Sequence, residues 1–148
     1  MIALGSDHGG YELKEEIKKY FDEKEIKYID YGTNNTERTD YPIYAKKVAL
    51  AIQNKECDKA ILVCRSGHGV AIVANKFKGI RAANITNEED AKFAKADDNI
   101  NVLTLGGDYL TVNEAICIIR TWLATDFKQG RYQERIEMIE EIENENMK

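Results

Sequence analysis

Ala60-Ile61-Leu62-Val63-Cys64-Arg65-Ser66-Gly67-His68-Gly69 is an apolar run of strand length that passes directly into a glycine-rich turn. A strand without polar alternation is covered on both faces, as in a parallel sheet clothed by helices. The same grammar extends in both directions. Ile2-Ala3-Leu4 reads as a first strand, followed by Leu13, Ile17, Tyr20 and Phe21 at helical spacing. Ile26 to Tyr31 reads as a second strand, ended by Gly32, and Tyr44, Val48, Ala51 and Ile52 as a second helical stripe. Beyond the central run, a short helix over about Val70 to Lys76 leads to a fourth strand at Ile80-Arg81-Ala82-Ala83. Thr86 and Glu89 have capping-box spacing for the next helix, and Val102 to Leu105 is a fifth strand. Thr111 and Glu114 repeat that spacing before Ile116, Ile119, Trp122 and Leu123. From Tyr132, Ile136, Ile139 and Ile142 mark a last amphipathic helix with a solvated acidic end, Glu140 to Glu145. The expected fold is α/β: a three-layer Rossmann-like sandwich with a central parallel five-stranded sheet, helices on both faces and a C-terminal helix.

In such folds ligands bind beyond the carboxyl ends of the strands. Two glycine-rich loops stand there, Gly5-Ser6-Asp7-His8-Gly9-Gly10 and Cys64 to Gly69. The chain has two histidines, His8 and His68, and each lies in one of these loops, which makes both candidate site residues. Gly67 and Gly69 let the backbone turn its amides toward a ligand, a nest suited to an oxyanion or phosphate. The same field, with Arg65 adjacent, favours a thiolate at Cys64. A thiolate there can act as nucleophile or as base, and position does not choose between them. A thiolate phosphatase needs Arg six positions after its cysteine; Val70 stands there, which opposes that reading. Neither loop has the three-glycine dinucleotide spacing. Arg131 and Arg135 are four apart and share a helix face. Taken alone, they read as solvated arginines on an acidic tail, with Arg131 paired to Glu134.

The 148 residues fit one domain, 1–148, with an ordinary core. A net charge of −5 disfavours a general nucleic-acid binder, while a local arginine cluster can still serve a small anion. The apolar start is broken at once by Gly5-Ser6-Asp7, too short for a secretory or membrane segment. Cys57, Cys64 and Cys117 are an odd number without metal-ligand spacing, consistent with reduced thiols in the cytoplasm. Cys57, between Glu56 and Asp58, reads as an exposed loop thiol and Cys117 as a small buried hydrophobe.

Together the loops resemble the ribose-5-phosphate isomerase type B family and its galactose-6-phosphate isomerase relatives, from Ile2 to about Ile142. The carriers are residues 5–10, Gly32-Thr33 with Arg38-Thr39-Asp40-Tyr41-Pro42, and Cys64 with Gly67 and Gly69. Ala74-Asn75-Lys76, Gly79-Ile80-Arg81-Ala82, Asn101-Val102-Leu103 and Gly130-Arg131 with Arg135 complete them. The resemblance implies an aldose–ketose isomerase without metal or cofactor, a homodimer or homotetramer whose sites are shared between subunits. Its substrate is a small sugar phosphate, with no nucleic acid and no membrane as partner. It implies Cys64 as the base between C1 and C2, enediolate stabilisation by the loop from Arg65 to Gly69 with the Ser66 hydroxyl, and ring opening assisted by Asp7. His8, Arg131 and Arg135 become phosphate contacts, which reverses the reading of the two arginines as merely solvated, and Tyr41 lines the sugar site.

The chain departs from the pattern at several of these positions. Arg65 replaces a usual Gly, Ser66 a usual Thr, and His68 a usual aliphatic residue. Asp97 stands where a ring-opening His is frequent, and is the candidate acid–base group, with His68 as the other. Asp98 stands where Asn is usual and is a candidate substrate contact; Asp108 stands where many members have a phosphate-binding Arg. Ribose 5-phosphate and ribulose 5-phosphate are the first expected pair. A non-catalytic or half-site subunit of a hetero-oligomer of the galactose-6-phosphate type is the alternative.

Overall fold

A computed structural model describes residues 1–147. The strands are β1 (Ile2–Ser6), β2 (Tyr28–Asp30), β3 (Lys59–Cys64), β4 (Ala82–Asn84) and β5 (Val102–Gly106). The helices are α1 (Tyr11–Glu23), α2 (Tyr41–Gln53), α3 (His68–Ala74), α4 (Glu88–Asp98), α5 (Val112–Ala124) and α6 (Arg131–Asn146). The strands form one parallel sheet in the order β2-β1-β3-β5-β4. Side-chain alternation along β3 sorts the core into two layers. Ile61 and Val63 join Leu13, Ile17 and Phe21 of α1 and Ile118, Ile119 and Trp122 of α5. Ala60, Leu62 and Cys64 join Ala45, Val48 and Ala49 of α2 and Val70 and Ala74 of α3. The three-layer expectation is met, and Cys64 projects to the layer of α2 and α3.

The order places a switch point between β1 and β3, because the chain leaves β1 toward β2 and leaves β3 toward β4. Successive connections diverge there and open a crevice at the carboxyl ends of the two strands. The loop beyond β2 folds over that crevice, held by a buried charge. Lys14, 1% exposed, meets Asp30 Oδ1 at 2.6 Å and donates to the Thr33 carbonyl at 2.9 Å. Asp30 also takes Lys18 at 2.9 Å and the Gly32 N–H at 2.9 Å. Burial pushes the Asp30 carboxyl up, but the bonds from Lys14, Lys18 and Gly32 outweigh it and hold it below its ordinary value. Lys14→Met would leave Asp30 with Lys18 as its remaining cation. Breaking a buried pair costs roughly 3–5 kcal/mol; with Lys18 still present, about 2–3 kcal/mol is expected, read as a drop in urea midpoint at constant slope.

Several boundaries differ from the sequence reading. β2 begins at Tyr28, not Ile26, because the Ile26 N–H bonds the Phe21 carbonyl to close α1. β4 is Ala82–Asn84, because the Ile80 N–H closes a turn onto Phe77 and the Arg81 N–H goes to the Asn101 side chain. α3 starts at His68, ahead of Val70. Thr86 and Glu89 form no capping box: Asn87 caps α4 by accepting the Asp90 N–H, one residue later. Thr111 and Glu114 do form theirs. Cys57 is buried, not exposed: the turn after α2 folds its thiol against the Tyr31 hydroxyl, 3.9 Å away, and burial pushes that thiol up. Cys117 is part-exposed beside Arg120, not buried. On α6, Ile136 is buried, but Ile139 and Ile142 are 39% and 61% exposed. Among the described residues, no helix is long and apolar enough to cross a membrane.

Candidate functional site

At the switch point lies a cavity of about 420 Å³ lined from three segments. The turn after β1 gives Asp7 and His8; the loop before α2 gives Arg38 to Tyr41; the end of β3 gives Cys64, Arg65, Ser66 and Gly69. Its volume suits a small metabolite.

Asp7 is 6% exposed and half committed to structure: Oδ1 accepts the Gly10 N–H at 3.0 Å, capping the turn that leads into α1. His8 is oriented by the loop above it. Its Nδ1 lies 3.2 Å from the Thr39 N–H and 3.1 Å from the Thr39 carbonyl. Nδ1 accepts from the Thr39 N–H in the tautomer protonated at Nε2 and donates to the Thr39 carbonyl in the other. In both cases Thr39 holds the ring through Nδ1, which leaves Nε2 for a ligand. Thr39 is in turn fixed by its hydroxyl 3.0 Å from the Tyr44 hydroxyl.

Cys64 is the last residue of β3 and is 4% exposed. Its sulfur accepts the Gly67 N–H at 3.1 Å. Gly67 has φ +84°, and a Cβ there would strike the Asn84 side chain and the Leu105 backbone, so glycine is required on both counts. The loop is braced from the neighbouring strands. Thr104 on β5 donates to the Gly67 carbonyl at 2.8 Å, and Asn84 on β4 donates to the Ser66 carbonyl at 3.3 Å. Two amides that sequence reasoning assigned to a ligand are turned onto the loop itself: Gly67 to the Cys64 sulfur, and His68 to the Ser66 hydroxyl at 3.2 Å. Tyr41 lies directly over Gly69, where any Cβ would collide with the ring.

The structure thus brings together Asp7, His8, Tyr41, Cys64, Arg65, Ser66 and Gly69, with Gly67 immediately behind the sulfur. His68 is not among the lining residues; its ring Nδ1 sits 3.3 Å from the Asn84 amide nitrogen. Asp97, Asp98, Arg131 and Arg135 do not line the cavity either. Asp97 pairs with Lys128 at 2.7 Å. Arg131 and Arg135 stand 5.2 and 5.3 Å from the Tyr132 ring centroid, with Lys128 at 4.8 Å. Arg131 bonds the Tyr132 hydroxyl at 3.3 Å rather than pairing with Glu134. That bond, with the charges of Arg131 and Lys128, holds the Tyr132 phenol below its ordinary value. With Lys128 paired to Asp97, Arg131 and Arg135 are the two cations at this ring that could attract an anion, outside the lining of this chain's own cavity.

Sequence reasoning missed Arg38, Thr39 and Asp40 as lining residues, though it had quoted them; their polarity alone is that of any surface loop. It also missed Lys128. Nothing in the local pattern distinguishes a lysine that closes onto Asp97.

The sequence and fold have close counterparts. The chain is 42% identical to ribose-5-phosphate isomerase B of Escherichia coli over 142 residues, 96% of this chain and 95% of that one. A structure of Clostridium thermocellum ribose-5-phosphate isomerase B superposes with TM-score 0.95 at 42% identity, covering 97% of both chains. The Mycoplasma genitalium ribose-5-phosphate isomerase B structure, which has ribulose 5-phosphate bound, gives 0.92 at 38% identity, covering 98% of this chain and 97% of that one. The profile described as Ribose/Galactose Isomerase matches residues 2–139. With that span and those relatives, the chain belongs to the ribose/galactose isomerase family.

Proposed function

We propose that the chain interconverts ribose 5-phosphate and ribulose 5-phosphate in the cytoplasm through an enediolate, with Cys64 as the base. The observation that carries this reading is the sulfur of Cys64 at the carboxyl end of β3, in one cavity with Asp7 and His8. In the open-chain aldose, C2 loses its proton to the thiolate while the carbonyl oxygen O1 gains charge. Reprotonation at C1 by the same thiol, with the O2 proton transferred toward O1, yields the ketose. Abstraction next to a carbonyl is fast only when donors meet the developing oxyanion. The Gly67 N–H supports this role in a specific way. It rests on the sulfur before proton transfer. A neutral thiol is a weaker acceptor, so the same amide is released toward the new oxyanion as charge moves from sulfur to oxygen. The Ser66 hydroxyl and the His68 amide form a second pair that substrate can open. Asp7 assists ring opening with the oxygen not used in its cap, and Nε2 of His8 contacts phosphate or a ring oxygen.

Arg131 and Arg135 complete the site from a second copy, in a dimer or tetramer. Their position on α6, outside this chain's cavity, supports that reading, as do the exposed apolar side chains Ile43, Ile72 and Phe93. A two-fold pair lets one patch serve the partner's cavity and the reverse. Asp97 and Asp98 travel with them. A half-site subunit is the second reading, favoured by Asp97 being tied to Lys128 where an acid–base group was expected.

The deciding measurement is a coupled assay of the purified chain on ribose, allose and galactose phosphates. Turnover of ribose 5-phosphate above the others is expected. Inactivity on all three sinks the catalytic reading in favour of the subunit one, and release of inorganic phosphate would point to thiolate phosphatase chemistry instead.

A further inference from the structure

Arg65, next in sequence to the proposed base, is a cation whose charge is shared. Arg65 lines the cavity beside Cys64, Asp7 and His8. Its aliphatic stem crosses Gly9, where a Cβ would collide with its Cγ and lie 3.2 Å from Nε, so the absent side chain at Gly9 is what lets it lie there. Its guanidinium reaches Asp108 Oδ1 at 3.4 Å, with the two side chains 61% and 48% exposed. Asp108 is held by its backbone. The Asp108 N–H donates to the Arg65 carbonyl at 3.0 Å, and the preceding Gly107 N–H to the Cys64 carbonyl at 2.8 Å. These bonds tie the backbone after β5 to the end of β3 and bring the Asp108 carboxylate within reach of the Arg65 guanidinium.

We infer that Arg65 is this chain's own phosphate-gripping cation and that Asp108 restrains it, so that the Arg65–Asp108 pair sets how strongly a phosphorylated sugar is preferred. The inference rests on the isomerase reading above. An exposed ion pair with a single long contact is weak and readily exchanged. A phosphate dianion offers the guanidinium fork two parallel charge-assisted bonds, and it wins the competition. The Asp108 backbone stays tied to that of Arg65, so its carboxylate remains a close competitor for the guanidinium. Its negative charge opposes a dianion held on Arg65, within a screening length. The two side chains form an ion pair yet act on the ligand with opposite signs. A mere structural pair would act with the same sign, since breaking it from either end gives one loss.

The test uses the full chain, its Arg65→Met and Asp108→Asn variants, ribose 5-phosphate in the coupled assay, and inorganic phosphate titrated by calorimetry. Both positions are exposed, and unchanged melting temperatures establish that the variants fold. Arg65→Met is expected to raise KM and the phosphate Kd by about tenfold, the loss of a charge-assisted pair. Asp108→Asn is expected to lower both by roughly threefold at low ionic strength, with the gain fading at about 0.5 M salt. The inference is overturned if Asp108→Asn raises KM alongside Arg65→Met, or if Arg65→Met leaves phosphate binding unchanged. Absence of turnover in the wild type would count against the isomerase reading alone, because the phosphate titration reads Arg65 and Asp108 without catalysis.

Discussion

Cys64→Ala is expected to lower kcat by about 10³-fold with little change in KM, about 4 kcal/mol of transition-state stabilisation. The size follows from the role. No other thiol lies in the cavity, since Cys57 is buried behind α2 and Cys117 is on α5. The neighbouring carboxylate, Asp7, has one oxygen committed to the Gly10 amide. KM should be spared because the proposed base acts at C1 and C2 and not on the phosphate. Exchange of the substrate's C2 hydrogen with solvent should disappear in parallel, which ties the loss to proton transfer rather than to product release. The structural share is small: the Gly67 N–H loses its acceptor, worth about 1 kcal/mol. Cys64→Ser separates the two contributions. Its hydroxyl still accepts from Gly67 and keeps the loop, but it stays protonated at neutral pH, so it should melt like the wild type and turn over nearly as poorly as Cys64→Ala. Cys64→Ala activity within tenfold of wild type would remove Cys64 as the base.

The fold was legible because its signals are local and redundant. The apolar run at 60–63, the helical stripe through Leu13 and Ile17, and the Thr111 capping box each point to one element and agree with their neighbours. The boundaries were lost to bonds across the chain. Arg81 looks like a strand residue until its amide is seen on the Asn101 side chain, and Thr86 looks like a cap until Asn87 takes the role. Cys57 was misread because flanking acids signal solvent, while the turn that tucks the thiol under Tyr31 leaves no mark on those residues.

The site was legible in proportion to how much of it is contiguous. Asp7-His8 and Cys64 to Gly69 sit in glycine-rich turns at strand ends, where topology puts ligands. The orientation of the His8 ring is set by Thr39, thirty-one residues away, and no sequence pattern carries that. The buried ammonium of Lys14 that anchors the covering loop is likewise invisible, since it occupies an ordinary position on an amphipathic helix. Asp97 read as an acid–base candidate from its position alone; its pairing with Lys128 is a tertiary fact.

Mixing two inactive variants is expected to restore activity. Cys64→Ala removes the proposed base from its own cavity. Arg131→Ala/Arg135→Ala removes the patch around Tyr132, which lies outside that cavity in the same chain. The arginine double variant should lose phosphate affinity by more than about 100-fold, two charge-assisted contacts at once. Co-refolded at equal amounts, half of all two-fold dimers are mixed. In each mixed dimer one cavity has both defects and the other has neither, so activity should return to about a quarter of wild type. Either variant alone stays near zero, which makes the recovery a large change on a dark background. If the arginines reached the cavity of their own chain, every site in every mixture would carry one defect, and mixing would restore nothing. The same arithmetic discriminates the half-site reading. A subunit that needs an unlike partner has no activity to lose, and then neither the single variants nor their mixture differ from the wild type. The proposed docking of α6 on a second copy also predicts which element responds to assembly. Ile139 and Ile142 are exposed in the single chain, and a neighbouring copy that receives Arg131 and Arg135 must come close to that helix. Recovered activity should therefore fall with dilution below the dimer dissociation constant, and Ile142→Glu should shift that dependence to higher concentration while leaving the fold of the isolated chain intact.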